Sequence, residues 1–209
     1  KNVKSTKPLT DVIDVLNGIS MNVYNSISGA SSNRRNFYNQ KMEELFDIKP
    51  DVMIFTHNHL DHYDPETAPL FFKKSRKPMS VLGPTSVRSK AMGDLCGQNY
   101  ILFDKYTSVT LEGFVFTAVR AAHSDPYAIG VVIEDTVENK VYYVAGDTLY
   151  NSRIFDSLPP LYREIDVLFL PINGVGNNMN MTDAERFCKR LKPKIAVPIH
   201  WGMFDELDV

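Results

Sequence analysis

Cysteine is nearly absent from this chain of 209 residues: Cys96 and Cys188 stand far apart and in no Cys-x-x-Cys pattern. That excludes a disulfide framework and reads as two reduced, buried thiols of a cytoplasmic protein. Long hydrophobic runs are missing too. The longest, such as Val167 to Leu170 with its neighbours, have the length of a strand, so no membrane span is expected. Lys1, Lys4 and Lys7 open the chain, but no apolar signal core follows them. Nor is there an excess of basic charge. Lys and Arg number 23 against 25 Asp and Glu, a net charge of −2, so the basic footprint of a nucleic-acid partner is not there. No internal repeat or low-complexity segment interrupts the sequence.

What remains fits one domain over residues 1–209, large enough to bury roughly 70% of its unfolded surface without a structural metal. The chain does not begin with Met and stops soon after its last strand-like run, so it reads as trimmed at both ends. Ser26 to Gln40, rich in Ser, Asn, Arg and Gly, reads as a surface loop. Beyond it, five apolar, β-branched runs each end on a polar residue. Asp51–Thr56 leads to His57, Phe114–Val119 to His123 and Val141–Ala145 to Gly146-Asp147. Asp166–Ile172 leads to Asn173-Gly174, and Ile195–Ile199 to His200. Function in layered α/β folds collects at such strand ends, where loops converge on a rigid support.

Helices are expected between the strands. Thr182-Asp-Ala-Glu185 has the pattern of a capping box. The face Ala184, Phe187, Cys188, Leu191 then packs on a sheet, and Pro193 stops the helix. Asp64-Pro65-Glu66 reads as an N-cap with Pro in the first turn, and Pro69 keeps that helix short or kinked. Mixed strands and sheet-covering helices indicate an α/β (α+β) layered fold.

Histidine is scarce, and none of it is scattered. Three of the five histidines fall in His57-Asn-His59-Leu-Asp61-His62, and the other two, His123 and His200, follow apolar runs. Imidazole and carboxylate suit divalent first-row metals. His57 and His59 can share one ion and Asp61 and His62 can face a second, each ion needing further ligands from elsewhere. His123 and His200 can complete one ion each, and Asp147 can bridge them. That makes seven side chains, with room for a hydroxide between metals about 3.5–4 Å apart. Taken singly, His123 before Ser-Asp-Pro is a turn residue, Asp147 a helix N-cap and His200 a satisfied core histidine. The hexapeptide decides for the joint reading, because these residues supply the ligands it lacks.

Thr56-His57-Asn-His59-Leu-Asp61-His62, Ala145-Gly146-Asp147-Thr148 and Pro198-Ile-His200 resemble the metallo-β-lactamase superfamily. The resemblance is nearest to its L-ascorbate-6-phosphate lactonase-like (UlaG-like) branch. It rests there on His123-Ser-Asp-Pro-Tyr-Ala-Ile-Gly130, Asn173 to Asn180 and His200-Trp-Gly-Met-Phe204. It covers the chain from about Asp51 onward. It implies a four-layer αββα sandwich with His57, His59 and His123 on one ion, Asp61, His62 and His200 on the other, and Asp147 bridging. The glycine-bearing first strand and hairpin usual in that family are not found, and Val23-Tyr24-Asn25-Ser26 stands where its second strand usually ends in Asp-Pro. An N-terminal edge strand is therefore expected to be missing.

The chemistry expected is hydrolysis by a hydroxide on two divalent ions, Mn or Zn, with Fe also accepted, Asp61 orienting the water and carrying a proton to the leaving group. Two divalent ions outweigh two carboxylates and a hydroxide, so a small anionic substrate suits the site, a sugar-lactone phosphate above all. Asn173 and Asn178 are candidate substrate contacts, with a structural turn as the equal alternative. Arg34-Arg35 could reach a phosphate, although an exposed pair is usually just solvated. Rival readings are a phosphodiesterase or nuclease on the same scaffold and a non-catalytic metal-binding protein. A diiron oxygen-reducing relative is disfavoured, since it carries Glu where this chain has His59. A homo-oligomer is left open.

Overall fold

Alternate side chains of the strands go to different cores, which is why the strands read as unbroken apolar runs. The computed structural model describes residues 50–65, 67–74, 78–158 and 164–201. A small parallel sheet has the order β1 (Val52–Ile54), β2 (Ser80–Gly83), β3 (Asn99–Leu102). A larger sheet runs β4 (Ser108–Leu111), β5 (Phe114–Arg120), β6 (Ile129–Asp135), β7 (Lys140–Val144), β8 (Val167–Pro171), β9 (Ile195–Ile199). Its pairings are antiparallel from β4 to β7 and parallel from β7 to β9.

On β6, Ile129, Val131 and Ile133 face a core shared with Leu82, Ile54 and Ile101 of the small sheet. Val132, between them, points the other way with Val119, Tyr143 and Leu168, onto a core completed by helices α3 (Ser152–Ser157) and α4 (Met181–Leu191). The outer face of the small sheet, through Val81 and Met53, is covered by Phe72 of α1 (Thr67–Lys74) and Val87 of α2 (Thr85–Ala91). Helix, sheet, sheet, helix is the four-layer αββα architecture. The side-chain period of two turns central strands such as β5, β6 and β7 into seams between two cores, so both of their faces are apolar.

The five expected strands form with ends shifted by up to two residues. The face Ala184, Phe187, Cys188, Leu191 packs on the large sheet as its spacing requires. The expected capping box at Thr182 does not cap α4. Asn180 does, its side chain accepting from Asp183 N at 2.9 Å. Asn180 also makes a β-bridge to Asn173, which holds it extended two residues before Thr182. Asp64 stands ahead of α1, where its carbonyl accepts from Ala68 N at 2.9 Å and its carboxylate from the Thr67 hydroxyl. Cys188 is partly buried as expected, but Cys96 is exposed on a turn, with φ 48°. The loop Ser26–Gln40, Arg34-Arg35, Val23–Ser26, Glu66 and Phe204 lie outside the described residues. Among those described, no helix is long and apolar enough to cross a membrane.

Candidate metal centre

Five strand ends meet at one edge of the sandwich. β5, β7, β8 and β9 run in the same direction, so the residues following them emerge together. The small sheet joins them where Ile129 N, at the start of β6, donates to Thr56 O at 3.0 Å. His57 follows at once and is fully buried. The chain then turns back on itself, with His62 N and Tyr63 N both donating to His59 O. Tyr63 locks this turn: its ring is fully buried edge-on to Phe55, and its hydroxyl donates to Asp94 at 2.8 Å. On the other sheet, Gly146 adopts φ +64° and brings Asp147 inward. A Cβ there would lie 2.7 Å from Ile129 O, so only glycine fits. His200 also takes a left-handed backbone, φ 59°, a cost of about 1–2 kcal/mol held by its surroundings.

The structure brings all seven candidate residues together in two groups. In the first, His59 Nδ1 lies 3.1 Å from both His57 Nε2 and His123 Nε2. In the second, His62 Nε2 is 3.2 Å from Asp147 Oδ1 and 3.6 Å from Asp61 Oδ2. His200 Nε2 is 3.2 Å from Asp147 Oδ2 and 3.4 Å from Asp61 Oδ2. Ligand atoms about 2.0–2.1 Å from a tetrahedral ion stand roughly 3.3 Å apart, so both groups have the spacing of a ligand shell. Asp147 faces both, since its Oδ2 is also 4.0 Å from His123 Nε2. The Nε2 atoms of His62 and His200 are buried beside these carboxylates, yet neither is aligned for a hydrogen bond. Buried donors left in that state are a destabilising feature without a further partner, and a metal ion fits the donor set.

Burial pushes His57 down to about 2, helped by the neighbouring His62, so its ring is neutral and free to ligate. Burial lowers His123 as well. Burial alone would raise Asp61 and Asp147, but His200 and His62 hold Asp61 down to about 2 and Asp147 well below the carboxylate range. His200 moves the other way from His57 and His123. Burial pulls it down, yet Asp147 and Asp61 carry it up to about 10, so in the metal-free protein it keeps a proton that a metal must displace.

The outer nitrogens of four of these rings are also held. Thr56 Oγ1 is 3.0 Å from His57 Nδ1, and Ser124 Oγ is 3.4 Å from His59 Nε2. The carbonyl of Asn177 is 3.3 Å from His123 Nδ1, and the Asn173 amide is 3.0 Å from His200 Nδ1. Asn178 donates to Asp147 Oδ2 at 3.0 Å. The two asparagines expected to touch substrate thus put their amide nitrogens against His200 and Asp147. Sequence reasoning passed over Asp125, whose buried carboxylate accepts from Asn58 N, Ser86 Oγ and Tyr127 N and so ties the His123 loop to the hexapeptide. Thr148 was missed too; its hydroxyl accepts from Ala122 N at 2.8 Å beside His123. Asp125 and Thr148 each stand within two residues of a ligand, the one signal that could have marked them.

Comparison with known proteins agrees with this geometry. Residues 30–201 match the beta-lactamase superfamily domain. A UPF0173 metal-dependent hydrolase of Thermoplasma acidophilum is 31% identical over 172 residues, covering 79% of this chain and 70% of the relative. A UPF0173 protein of Pyrococcus furiosus is 30% identical over 162 residues, 77% of this chain and 70% of that one. Among solved structures, the metallo-beta-lactamase fold protein YhfI of Bacillus subtilis superposes with a TM-score of 0.61 at 19% identity, over 76% of this chain and 69% of that one. The fold, the matched domain and these relatives place the chain in the metallo-β-lactamase superfamily, among the UPF0173 metal-dependent hydrolases.

Proposed function

We propose that the chain opens a small anionic lactone or ester, such as a sugar-lactone phosphate, with two divalent ions, Mn or Zn, held in the two groups. The observation that carries this reading is the position of Asp147, which faces His123 of one group and His62 and His200 of the other. His57, His59 and His123 would hold one ion, and Asp61, His62 and His200 the other. Such ions supply Lewis acidity and a water that loses its proton near neutral pH. Asp61 is ionised and less enclosed than Asp147, with side-chain exposures of 30% and 5%. It can therefore orient that water, accept the proton the water gives up and pass that proton to the leaving group. The two carboxylates, Asp61 and Asp147, do not neutralise two divalent ions, which supports an anionic substrate. The balanced surface charge supports a protein with no nucleic-acid partner, and we place it in the cytoplasm.

The test is hydrolysis of L-ascorbate 6-phosphate lactone, a panel of simpler lactones and esters, and a chromogenic phosphodiester by metal-stripped protein reloaded with Mn or Zn. Metal-dependent turnover of lactones or esters supports the reading. Turnover of the phosphodiester alone replaces it with a phosphodiesterase. Bound metal with no turnover on any of them leaves a non-catalytic metal-binding protein.

A further inference from the structure

The loop after β8 touches a ligand of each group and the carboxylate between them. Asn173 reaches His200, the Asn177 carbonyl reaches His123, and Asn178 reaches Asp147. The loop is built to hold those positions. It leaves β8 and closes through the Asn173–Asn180 bridge and a bond from Gly174 N to Met179 O. Left-handed backbone at Gly174, Gly176 and Asn177 folds it tightly. Met179 N donates to Thr148 O, and Asn180 then caps α4, so both ends are anchored.

Both asparagines leave their side-chain oxygens buried without a hydrogen-bond partner. That is a cost to stability, which an apolar residue of similar volume would avoid. Stability therefore does not account for them. Ligand orientation does: a ring nitrogen opposite a metal is commonly fixed by an outer partner, and such partners tune affinity. If His200 ligates through Nε2, its Nδ1 must carry the hydrogen, and Asn173 must then accept. Turning the amide over brings its oxygen to that nitrogen, the two orientations being interchangeable in shape. Asn178 has the opposite duty, donating to a carboxylate.

We infer that this loop is a positioning clamp for both halves of the metal centre, with Asn173 acting as an acceptor for His200 and Asn178 as a donor to Asp147. The inference rests on the two-ion reading of the site. It is tested by titrating metal-stripped wild type, N173D, N173L and N178L with Zn against a chelator of known affinity. Stoichiometry, the affinity of each ion and the melting temperature of the metal-free protein are read together. N173L and N178L are expected to bind at least one ion about 10- to 100-fold more weakly. Their metal-free melting temperatures should match or exceed that of wild type. N173D, which keeps an acceptor in the same shape, should bind as wild type does. Wild-type affinities in both leucine variants would overturn the clamp, and N173D as weak as N173L would overturn the acceptor role of Asn173. Fewer than two ions on the wild type would overturn the two-ion reading instead, and the leucine variants would then decide the clamp at the remaining ion.

Discussion

Ser86 donates its hydroxyl to the Asp125 carboxylate at 2.6 Å, fastening helix α2 to the loop that carries His123. The same carboxylate accepts from the backbone between His57 and His59. Ser86→Ala should cost about 1–2 kcal/mol and Asp125→Ala about 3 kcal/mol, because the latter strands three donors around a buried position. At roughly 2–4 °C per kcal/mol for a chain of this size, thermal unfolding of the metal-free protein resolves both. An Asp125→Ala protein as stable as wild type would mean the carboxylate does not brace the loop.

His59 sits in the first group and takes little part in the apolar cores. His59→Ala should abolish hydrolysis while the metal-free melting temperature changes by a few degrees at most. Circular dichroism and a turnover assay on one sample check both halves. Full activity in this variant, or in wild type after chelation and dialysis, would sink the dinuclear mechanism.

The proton on His200 gives metal binding a pH dependence of known sign. With its pKa held up to about 10, the metal-free protein is protonated there at neutral pH, and an ion must expel that proton. Affinity should therefore rise with pH up to about 10, and calorimetry in buffers of different ionisation enthalpy should show a proton released. His200→Ala should lose that proton. In the metal-free protein the stability from His200 is full below its ordinary value of 6.5 and fades as pH rises through about 10. That from Asp61 is full above 3.8 and fades as pH falls through about 2. His57 and His123, lowered by burial, add stability as pH rises towards 6.5, so the metal-free protein should gain most from this cluster near pH 6.5.

Gly146→Ala should be among the costliest single-methyl additions in the fold. Its φ is +64° and the new Cβ would meet the Ile129 carbonyl at 2.7 Å. A loss of about 2–4 kcal/mol is expected in chemical denaturation. Displacement of Asp147, the next residue, should weaken metal binding as well. A variant with wild-type stability and metal content would show that the turn has room to relax.

Strands β1, β5 and β7 were legible because each is a seam between two cores and so carries an apolar, β-branched run; β9 carries such a run although its residues are exposed or half-buried. β2 was not: Ser80–Gly83 is four residues long, and only its pairing with β1 and β3 makes it a strand. The start of α4 was misread because Asn180 and Thr182 are both good caps. A bridge to Asn173, seven residues back and invisible to local pattern, selects Asn180. The ligands were legible because metal chemistry restricts their type. Asn173 and Asn178 stood out as candidate substrate contacts, but their reach to His200 and Asp147 was not legible, since those contacts span 27 and 31 residues. Nothing in a local pattern carries that information.

The two groups draw on positions from His57 to His200 and on both sheets. During synthesis the second group therefore stays incomplete until the β9 segment has left the ribosome and docked beside β8. A nascent chain exposes the histidine-rich hexapeptide long before that, with only part of a site to offer. A metal ion that needs the full second group can therefore be captured only late in maturation.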